Sequence, residues 1–262
     1  MKNLFLFPKL SLKILIYSLI EIYSMIEYTK LYFSLPIIIS LPLLSISVLT
    51  FFFPMANGNP GNITIFTPDS SPYGLTFGEW TSKWWQWFVS IPNDGKHPLN
   101  DAKGCPATNQ EGPVWFLAGS ITGYAERICT IHQGKAILQP TLMQECSTAE
   151  QPSLKTESEL RACAVSSASH FRNIEVTIDG VRLKDMQKYN AVSPLFNVTF
   201  PDNPIVAAIP GPSQAVAAGN WVFLGPLPAG EHEIHRKGES VDFTGAATQN
   251  FAQDITYHIT IK

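Results

Sequence analysis

The sequence predicts a mainly β fold. We expect an antiparallel β-sandwich, of the jelly-roll or immunoglobulin-like type, with an N-terminal tryptophan-rich helix and a second short helix. Three observations support this. Short apolar runs alternate with Gly/Pro turns over residues 113–262. An Asp-Gly pair joins two alternating runs at 174–183, which is the strongest short-range hairpin signal. The sequence also lacks the strand–helix–strand rhythm of parallel sheets.

The first helix is predicted from the segment GLTFGEWTSKWWQWFVSIP at 74–92, which holds four of the chain's six tryptophans. Thr76 and Glu79 stand at capping-box spacing and Pro92 ends the helical region, so we expect a helix from about Phe77 to Ser90. Trp85 lies about 100° from the main stripe and is the candidate ring for ligand contact. The stripe itself, which is typical of core packing, comprises Trp80, Trp84 and Trp87.

The remaining elements follow from periodicity and turn residues. A second capping box, Thr156 with Glu159, predicts a helix over 156–169. The hairpin at 174–183 turns at Asp179-Gly180. The run ITYHITI at 255–261 alternates, so one of its faces should be buried. Further strands are predicted at 113–118, 126–131, 135–142, 196–200, 215–217, 221–224 and 232–235.

The N-terminal part differs in character from the rest. Residues 31–53 hold no charge, which is enough apolar chain to span a bilayer as a helix. Lysines precede this run and none follows until Lys83, so the positive-inside rule keeps the N-terminus inside. Residues 1–56 are therefore a signal peptide, cleaved after Ala56, or a retained membrane anchor; Met25 is an alternative start. We expect a linker at 57–73 and an extracytoplasmic β-rich domain at 74–262.

Cysteine usage agrees with export. The four cysteines all follow the apolar segment, and an even number in an exported chain predicts two disulfides. Of the three pairings, we favour nearest neighbours, Cys105–Cys129 and Cys146–Cys163, which close loops of moderate length. Zinc is the competing interpretation, but Cys-x-x-Cys spacing is missing. Asn62 and Asn197 begin sequons and are candidate glycosylation sites.

Charge and histidine spacing limit the function classes. The formal net charge is −3 and the longest basic run is His235-Arg236-Lys237, which disfavours nucleic-acid binding. His232 and His235 are three apart on a predicted strand and point to opposite faces, so they cannot share a metal without a bulge. We predict neither a cofactor nor a metal. His232, His258, Glu79 and Trp85 are the candidate ligand-binding residues.

Several motifs follow one another in a fixed order: Glu79-Trp80 with Trp84–Trp87, GPVWFLAG at 112–119, Cys129-Thr130 and PAGEHEI at 228–234. Together they resemble a widespread family of exported bacterial and archaeal proteins of unknown function, with E-W-x3-W-W-Q-W and G-P-V-W-F-L-A-G motifs. The resemblance covers 74–262. It implies an exported, disulfide-bearing, mostly β protein, and it supplies no catalytic residues.

We therefore expect an exported or membrane-anchored cell-envelope protein with a binding or structural role and an envelope glycan or protein as partner. One alternative is a carbohydrate-binding or carbohydrate-active domain, in which Glu79 would pair with Asp94 or Asp101. A second alternative is a copper protein. Its ligands would be Cys129 and His132, with Gln133 or Met143 as axial ligand and His97 upstream.

Overall fold

The computed structural model describes residues 63–101, 103–105, 108–241 and 251–262. These residues form two α-helices, α1 (Phe77–Ser90) and α2 (Glu157–Ala168), and eleven strands. The strands are β1 (Ile65–Phe66), β2 (Val114–Phe116), β3 (Tyr124–Ile131), β4 (Ala136–Ser147), β5 (Phe171–Ile178), β6 (Val181–Arg182), β7 (Asn190–Val192), β8 (Phe196–Phe200), β9 (Gly211–Leu224), β10 (Gly230–Ser240) and β11 (Phe251–Ile261).

The strands form two mixed sheets. Sheet A has the order β1–β9–β4–β2, with β7 and β8 also paired to β9, and sheet B has the order β3–β11–β10–β5–β6. The prediction of a mainly β fold is confirmed. The prediction of purely antiparallel sheets is wrong, because β2 pairs with β4 in parallel and β3 pairs with β11 in parallel. The jelly-roll and immunoglobulin-like topologies stay predictions.

The parallel pairs could not be predicted from the sequence, because neither of them is a local strand–helix–strand unit. The chain leaves β2 in sheet A, forms β3 in sheet B, and returns to sheet A with β4. The partner of β3 is β11, which lies more than a hundred residues away, as in the pair Cys129↔Ile259. A missing strand–helix–strand rhythm excludes local parallel units but not pairs assembled from distant segments.

Sheet A has a core on each of its faces. One cluster joins α1 to sheet A through residues such as Trp84, Trp221 and Phe223. A second cluster joins sheet A to sheet B through residues such as Val222, Tyr257 and Ile259. Helix α2 adds a smaller cluster against β4 and β9. The described body is thus layered as α1, sheet A and sheet B.

Both helix predictions are confirmed. Helix α1 covers Phe77–Ser90, and its capping box is complete: Thr76 N donates to Glu79 Oε2 over 2.8 Å, and Glu79 N donates to Thr76 Oγ1 over 3.2 Å. Helix α2 has the same device at Thr156 and Glu159. The Asp179-Gly180 hairpin joins β5 to β6, with Ile178 opposite Val181.

Strand β9 differs from its prediction. Two separate strands were expected at 215–217 and 221–224, but one strand runs over Gly211–Leu224. Its central residues are buried on both faces, so it has no alternating pattern to mark it as one element. Strand β11 follows its prediction, with Ile255, Tyr257, Ile259 and Ile261 buried and His258 exposed.

The predicted membrane segment at 31–53 lies outside the described residues. Across the ranges given above, no helix is both long and apolar enough to cross a bilayer. The predicted linker at 57–73 is in part structured. Ile65 and Phe66 pair with Leu224 and Phe223 of β9, so these two residues belong to sheet A.

Both predicted disulfides are present. Cys105 is bonded to Cys129, with 5.0 Å between their Cα atoms. Cys146 is bonded to Cys163, with 6.1 Å between their Cα atoms. The first ties the loop before β2 to β3, and the second ties β4 to α2. These bonds fit an exported protein.

Candidate functional site

The tryptophans of α1 belong to the core. Trp80, Trp84, Trp85 and Trp87 are at most 7 % exposed, which confirms the core-packing interpretation of the stripe. Burial extends further around the helix than expected. The polar side chains of Thr81 and Ser82 are also buried, and each donates a hydrogen bond to the carbonyl of Gly78.

Trp85 was expected to be the ring free to meet a ligand, but it is 5 % exposed. Its ring meets Trp84 and Phe88 edge to face, at centroid distances of 5.3 and 5.7 Å. Its indole N–H has no hydrogen-bond partner among the described residues. Trp85 is therefore a core residue, and its ring is not accessible to a ligand from solvent.

The carboxylates proposed for glycoside chemistry are engaged in local structure. Glu79 caps the start of α1, and the hydrogen bonds from Thr76 lower its pKa. Asp94, beyond the other end of the helix, accepts a hydrogen bond from Lys96 N. Asp101 accepts hydrogen bonds from Lys103 N and Gly104 N. Each of the three carboxylates stabilises a turn or a helix end, which favours the structural interpretation.

The strand histidines do not converge on one site. His232 is held on both ring nitrogens, by Asp179 Oδ2 at 2.7 Å and by the carbonyl of Pro228 at 2.9 Å. His258 is exposed, with its Nδ1 3.5 Å from Glu233 Oε2. His235 lies 2.8 Å from Asp254 Oδ1. Within the described ranges, no three metal-binding side chains cluster.

The copper interpretation fails at its thiolate. Cys129 is bonded to Cys105, so its sulfur cannot act as a copper ligand. His97 is fully buried, and both of its ring nitrogens are engaged, by the carbonyl of Phe88 at 2.9 Å and by Leu99 N at 3.1 Å. Burial lowers the pKa of His97. This histidine therefore closes the loop after α1.

Of the two candidate glycosylation sites, Asn62 lies outside the described residues. Asn197 lies on β8 and is exposed. Its backbone carbonyl accepts a hydrogen bond from Gln86 Nε2 over 2.8 Å. Its side chain lies on the surface, so the predicted glycosylation site is accessible.

A cavity of about 450 Å³ lies beside the end of α1, between β4 and the hairpin of β10 and β11. This volume falls in the range of roughly 300–1,000 Å³ that small-molecule sites occupy. Most of its lining is apolar, and a few polar side chains converge on it. The apolar side chains include Phe88, Leu99, Ile121, Leu142, Phe171 and Phe251, and the polar ones are Arg236, Gln253, Ser120, Ser240, Thr141 and Gln144.

Arg236 is the only cationic residue in the cavity lining among the described residues, and it is 2 % exposed. Its Nη1 donates to the carbonyl of Thr141 over 2.7 Å, and its Nε donates to the Tyr257 hydroxyl over 3.2 Å. A longer contact, 3.3 Å, joins its Nη2 to Gln253 Oε1. All three acceptors are neutral.

A second buried guanidinium lies nearby. Arg127 is 1 % exposed and donates to the carbonyls of Gly104, Pro98 and Gly119. Burial lowers its pKa, as does the positive charge of Arg236, while Tyr257 and Asp101 act in the opposite direction. Arg127 thereby pins two loops to β3. Within the described part of the chain, neither arginine has a carboxylate at ion-pair distance.

Gly119 brings the backbone close to both arginines. Its carbonyl accepts from Arg127 Nη2 over 2.6 Å. A methyl group on its Cα would lie 3.1 Å from Arg236 Nη2 and 2.8 Å from Gln253 Oε1. The lack of a side chain at residue 119 therefore leaves room for the Arg236 guanidinium at the cavity wall.

These residues were missed in the sequence, although strand alternation marks them. Arg127 shares its strand face with Cys129 and Ile131, and Arg236 shares its face with Ile234. An arginine two residues from a buried aliphatic on a strand points inward. The same period of two could have identified Gln253, which precedes Ile255.

A buried carboxyl forms a further unusual group. Glu145 on β4 is 2 % exposed, and its Oε1 has no partner among the described residues. Burial, followed by the hydrogen bond and charge of Glu150, raises the pKa of Glu145 well above its ordinary value of 4.5. Burial of the Glu145 side chain thus favours its protonated form.

Comparison with known proteins gives little. No family model and no curated protein matches the chain. Two solved structures that are similar in part are the solution structure of Amebosin, 9 % identical, and the cysteine protease inhibitor EhICP2 from Entamoeba histolytica, 16 % identical. Each covers 53 % of this chain, and they are matched over 96 % and 97 % of their own length, with a TM-score of 0.16. A TM-score this low does not indicate a shared fold with either protein.

Proposed function

We propose that this protein is an exported binding protein of the cell envelope, and that its cavity binds a small, mainly apolar ligand. The single observation that carries the proposal is the 450 Å³ cavity, whose lining is mainly apolar and includes a few polar side chains. Such a combination is typical of small-molecule sites.

Export is supported by the two disulfides. The apolar run at 31–53, with lysines before it, supports an anchor or signal that leaves the body at 74–262 outside the membrane. The proposed protein thus holds its cavity outside the cytoplasm, where the membrane and envelope supply apolar small molecules. Membership of the exported family that its motifs resemble is part of the same proposal.

Binding of an apolar ligand is favoured over sugar hydrolysis, because the tryptophan rings are buried and the candidate carboxylates serve in helix caps and turns. Flat sugar faces stack on accessible aromatic rings, but the tryptophans of α1 are at most 7 % exposed. The carboxylates Glu79, Asp94 and Asp101 are held in caps and turns. The cavity, by contrast, has apolar walls formed by side chains such as Leu142 and Phe171.

Photolabelling of the full chain in lipid nanodiscs tests the proposal. The probe is a neutral decanol derivative that carries a diazirine, and labelled peptides are mapped by mass spectrometry. We expect saturable labelling of peptides that line the cavity, with loss of the label when unlabelled decanol is added. Labelling that is spread over the surface and is not competed by decanol would refute the proposal.

Two exposed isoleucines supply matched variants. Ile121 is 59 % exposed and lines the cavity, whereas Ile128 is 74 % exposed and lies on the outer side of β3. Because both side chains are on the surface, Ile121→Glu and Ile128→Glu should both fold. We expect only Ile121→Glu to reduce labelling of the cavity, and equal labelling of the two variants would count against the site.

A further inference from the structure

We infer that the ligand is an amphiphile with one carboxylate, which binds Arg236 while its alkyl chain occupies the apolar part of the cavity. This inference deepens the proposed function and rests on it. It concerns the charge class of the ligand, which the volume and apolar character of the cavity leave open.

The first argument is the uncompensated charge. Arg236 is 2 % exposed and lines the cavity. Its hydrogen-bond acceptors are a carbonyl, a phenol and an amide, all of them neutral. A buried cation is stable in a protein when it is paired and hydrogen-bonded. A ligand carboxylate would supply the counter-charge that the neighbouring side chains do not.

The second argument is the unused donors. A guanidinium carries five N–H groups in a planar fork, and Arg236 uses three of them. Thr141 also lines the cavity, and its buried hydroxyl has no partner in the described part of the chain. A carboxylate has two oxygens and accepts from both nitrogens of such a fork. The free donors therefore match the acceptor pattern of a carboxylate.

The third argument is the surrounding field. Arg127 is also buried and lies close enough for its charge to interact with that of Arg236. Asp101 offsets part of this charge, but it forms no ion pair with either arginine. The cavity is consequently positive at Arg236, and a positive site surrounded by low-dielectric walls selects anions over neutral and cationic ligands.

The fourth argument is the apolar remainder. Apart from Arg236, the cavity is lined by side chains without charge, among them Leu99, Leu142 and Phe171. Ile121 and Phe251 are partly exposed at this lining, at 59 % and 45 %. An alkyl chain buries its surface against such walls, so the cavity has one site for an anionic head and one for a chain.

The test uses three ligands of equal chain length as competitors of the diazirine probe: decanoate, decanol and decyltrimethylammonium. We expect decanoate to displace the probe from wild-type protein at a concentration about tenfold to a hundredfold lower than decanol, because hydrogen bonds to a charged group are the strong ones. Decyltrimethylammonium should be the weakest. Equal displacement by decanoate and decanol would overturn the inference and leave the proposed function standing. Displacement by none of the three would overturn the proposed function.

Two variants test whether Arg236 and Thr141 bind the ligand carboxylate. Arg236→Met keeps an unbranched side chain and removes the guanidinium with its charge, and we expect it to lose the preference for decanoate while decanol still competes. Retention of the preference would contradict the assignment. Thr141→Val is the second variant, which keeps the shape and removes the free hydroxyl, and it should weaken decanoate several-fold but not decanol. Thr256→Val, on the outer side of β11, is its control and should leave both ligands unchanged.

Discussion

Removal of the Trp84 ring tests whether α1 is fixed to sheet A by its aromatic core. Trp84 is fully buried. Its ring stacks on Phe88 at 4.7 Å between centroids, and it meets Trp221 of β9 edge to face at 5.5 Å. Its Nε1 donates to the carbonyl of Leu117 over 2.9 Å. Trp84→Ala would remove all three contacts and open a cavity between the helix and the sheet.

The magnitude follows from these contacts. Truncation of a buried tryptophan to alanine costs about 3–5 kcal/mol in free energy of unfolding. For a domain of this size each kcal/mol corresponds to about 2–4 °C. We therefore expect Trp84→Ala to lower the Tm by about 6–20 °C. The main cause of this loss of stability is that the variant no longer buries the apolar surface of the ring.

The assay is thermal unfolding followed by circular dichroism under non-reducing conditions, together with binding of a dye specific for exposed apolar surface. Trp84→Phe and Trp85→Phe form a matched pair, because the indole N–H of Trp84 is hydrogen-bonded and that of Trp85 is not. We expect the change at Trp84 to be the more costly of the two, by about 1 kcal/mol. An unchanged Tm for Trp84→Ala would refute the packing argument.

Three further predictions concern stability. Burial raises the pKa of Glu145 in the folded state above its ordinary value of 4.5, so wild-type stability should fall as pH rises from 4.5 through the raised pKa. Glu145→Gln should therefore raise the Tm at pH 8 and leave it unchanged at pH 4. Joint replacement of Cys146 and Cys163 by serine should cost about 3 kcal/mol in urea unfolding, since the bond closes a loop of 17 residues. Gly123→Ala should cost at least about 1 kcal/mol, because φ is +81° there and the new methyl would meet the carbonyl of Ala252.

Each of these has a distinct control. Glu126→Gln, on the exposed side of β3, should leave the pH dependence of Tm as in wild type. If Glu126→Gln also raised the Tm at pH 8, the change in net charge, and not the burial of Glu145, would be the cause. Mass mapping of non-reduced peptides that found four free thiols would contradict the disulfides. Gly180→Ala also has a positive φ, +78°, but nothing lies near its added methyl, so Gly123→Ala should be the more damaging of the two.

The elements that the sequence predicted well are those with a local cause. Both helices begin at capping boxes that depend on residues three apart, Thr76 with Glu79 and Thr156 with Glu159. The hairpin at Asp179-Gly180 depends on two residues and their flanks. Nearest-neighbour cysteine pairing was also correct, since each bond joins segments that are close in the chain.

The errors have a tertiary cause. Gly219-Asn220 divides the two strands that were predicted for 215–224, but here the glycine lets the backbone approach Met143 of the neighbouring strand. Asn220 is fully buried and donates to the carbonyl of Met186 over 2.6 Å. Both residues therefore serve long-range packing, which overrides their preference for turns.

The cavity could be predicted only in part. Inward arginines at 127 and 236 follow from the alternation of their strands. Their neighbourhood does not, because β3 and β10 come together only through β11, whose partners are distant in the chain. Trp85 shows the converse limit. Its position on the helix was correct, but it is buried in a core cluster whose other members include residues distant in the sequence, such as Trp221 and Phe223.

The position of β11 determines when sheet B can be completed as the chain emerges. Among the described strands it comes last in the chain, yet it lies between β3 and β10. Every strand of sheet A has emerged by Leu224, so a chain that leaves a ribosome or a translocation pore can assemble that sheet first. The apolar surface that faces sheet B then stays incompletely covered until residues 251–261 arrive, because β3 is held in its sheet by β11. Arrival of this one strand completes sheet B, and a polypeptide interrupted before it would expose part of the core between the sheets to proteases and chaperones.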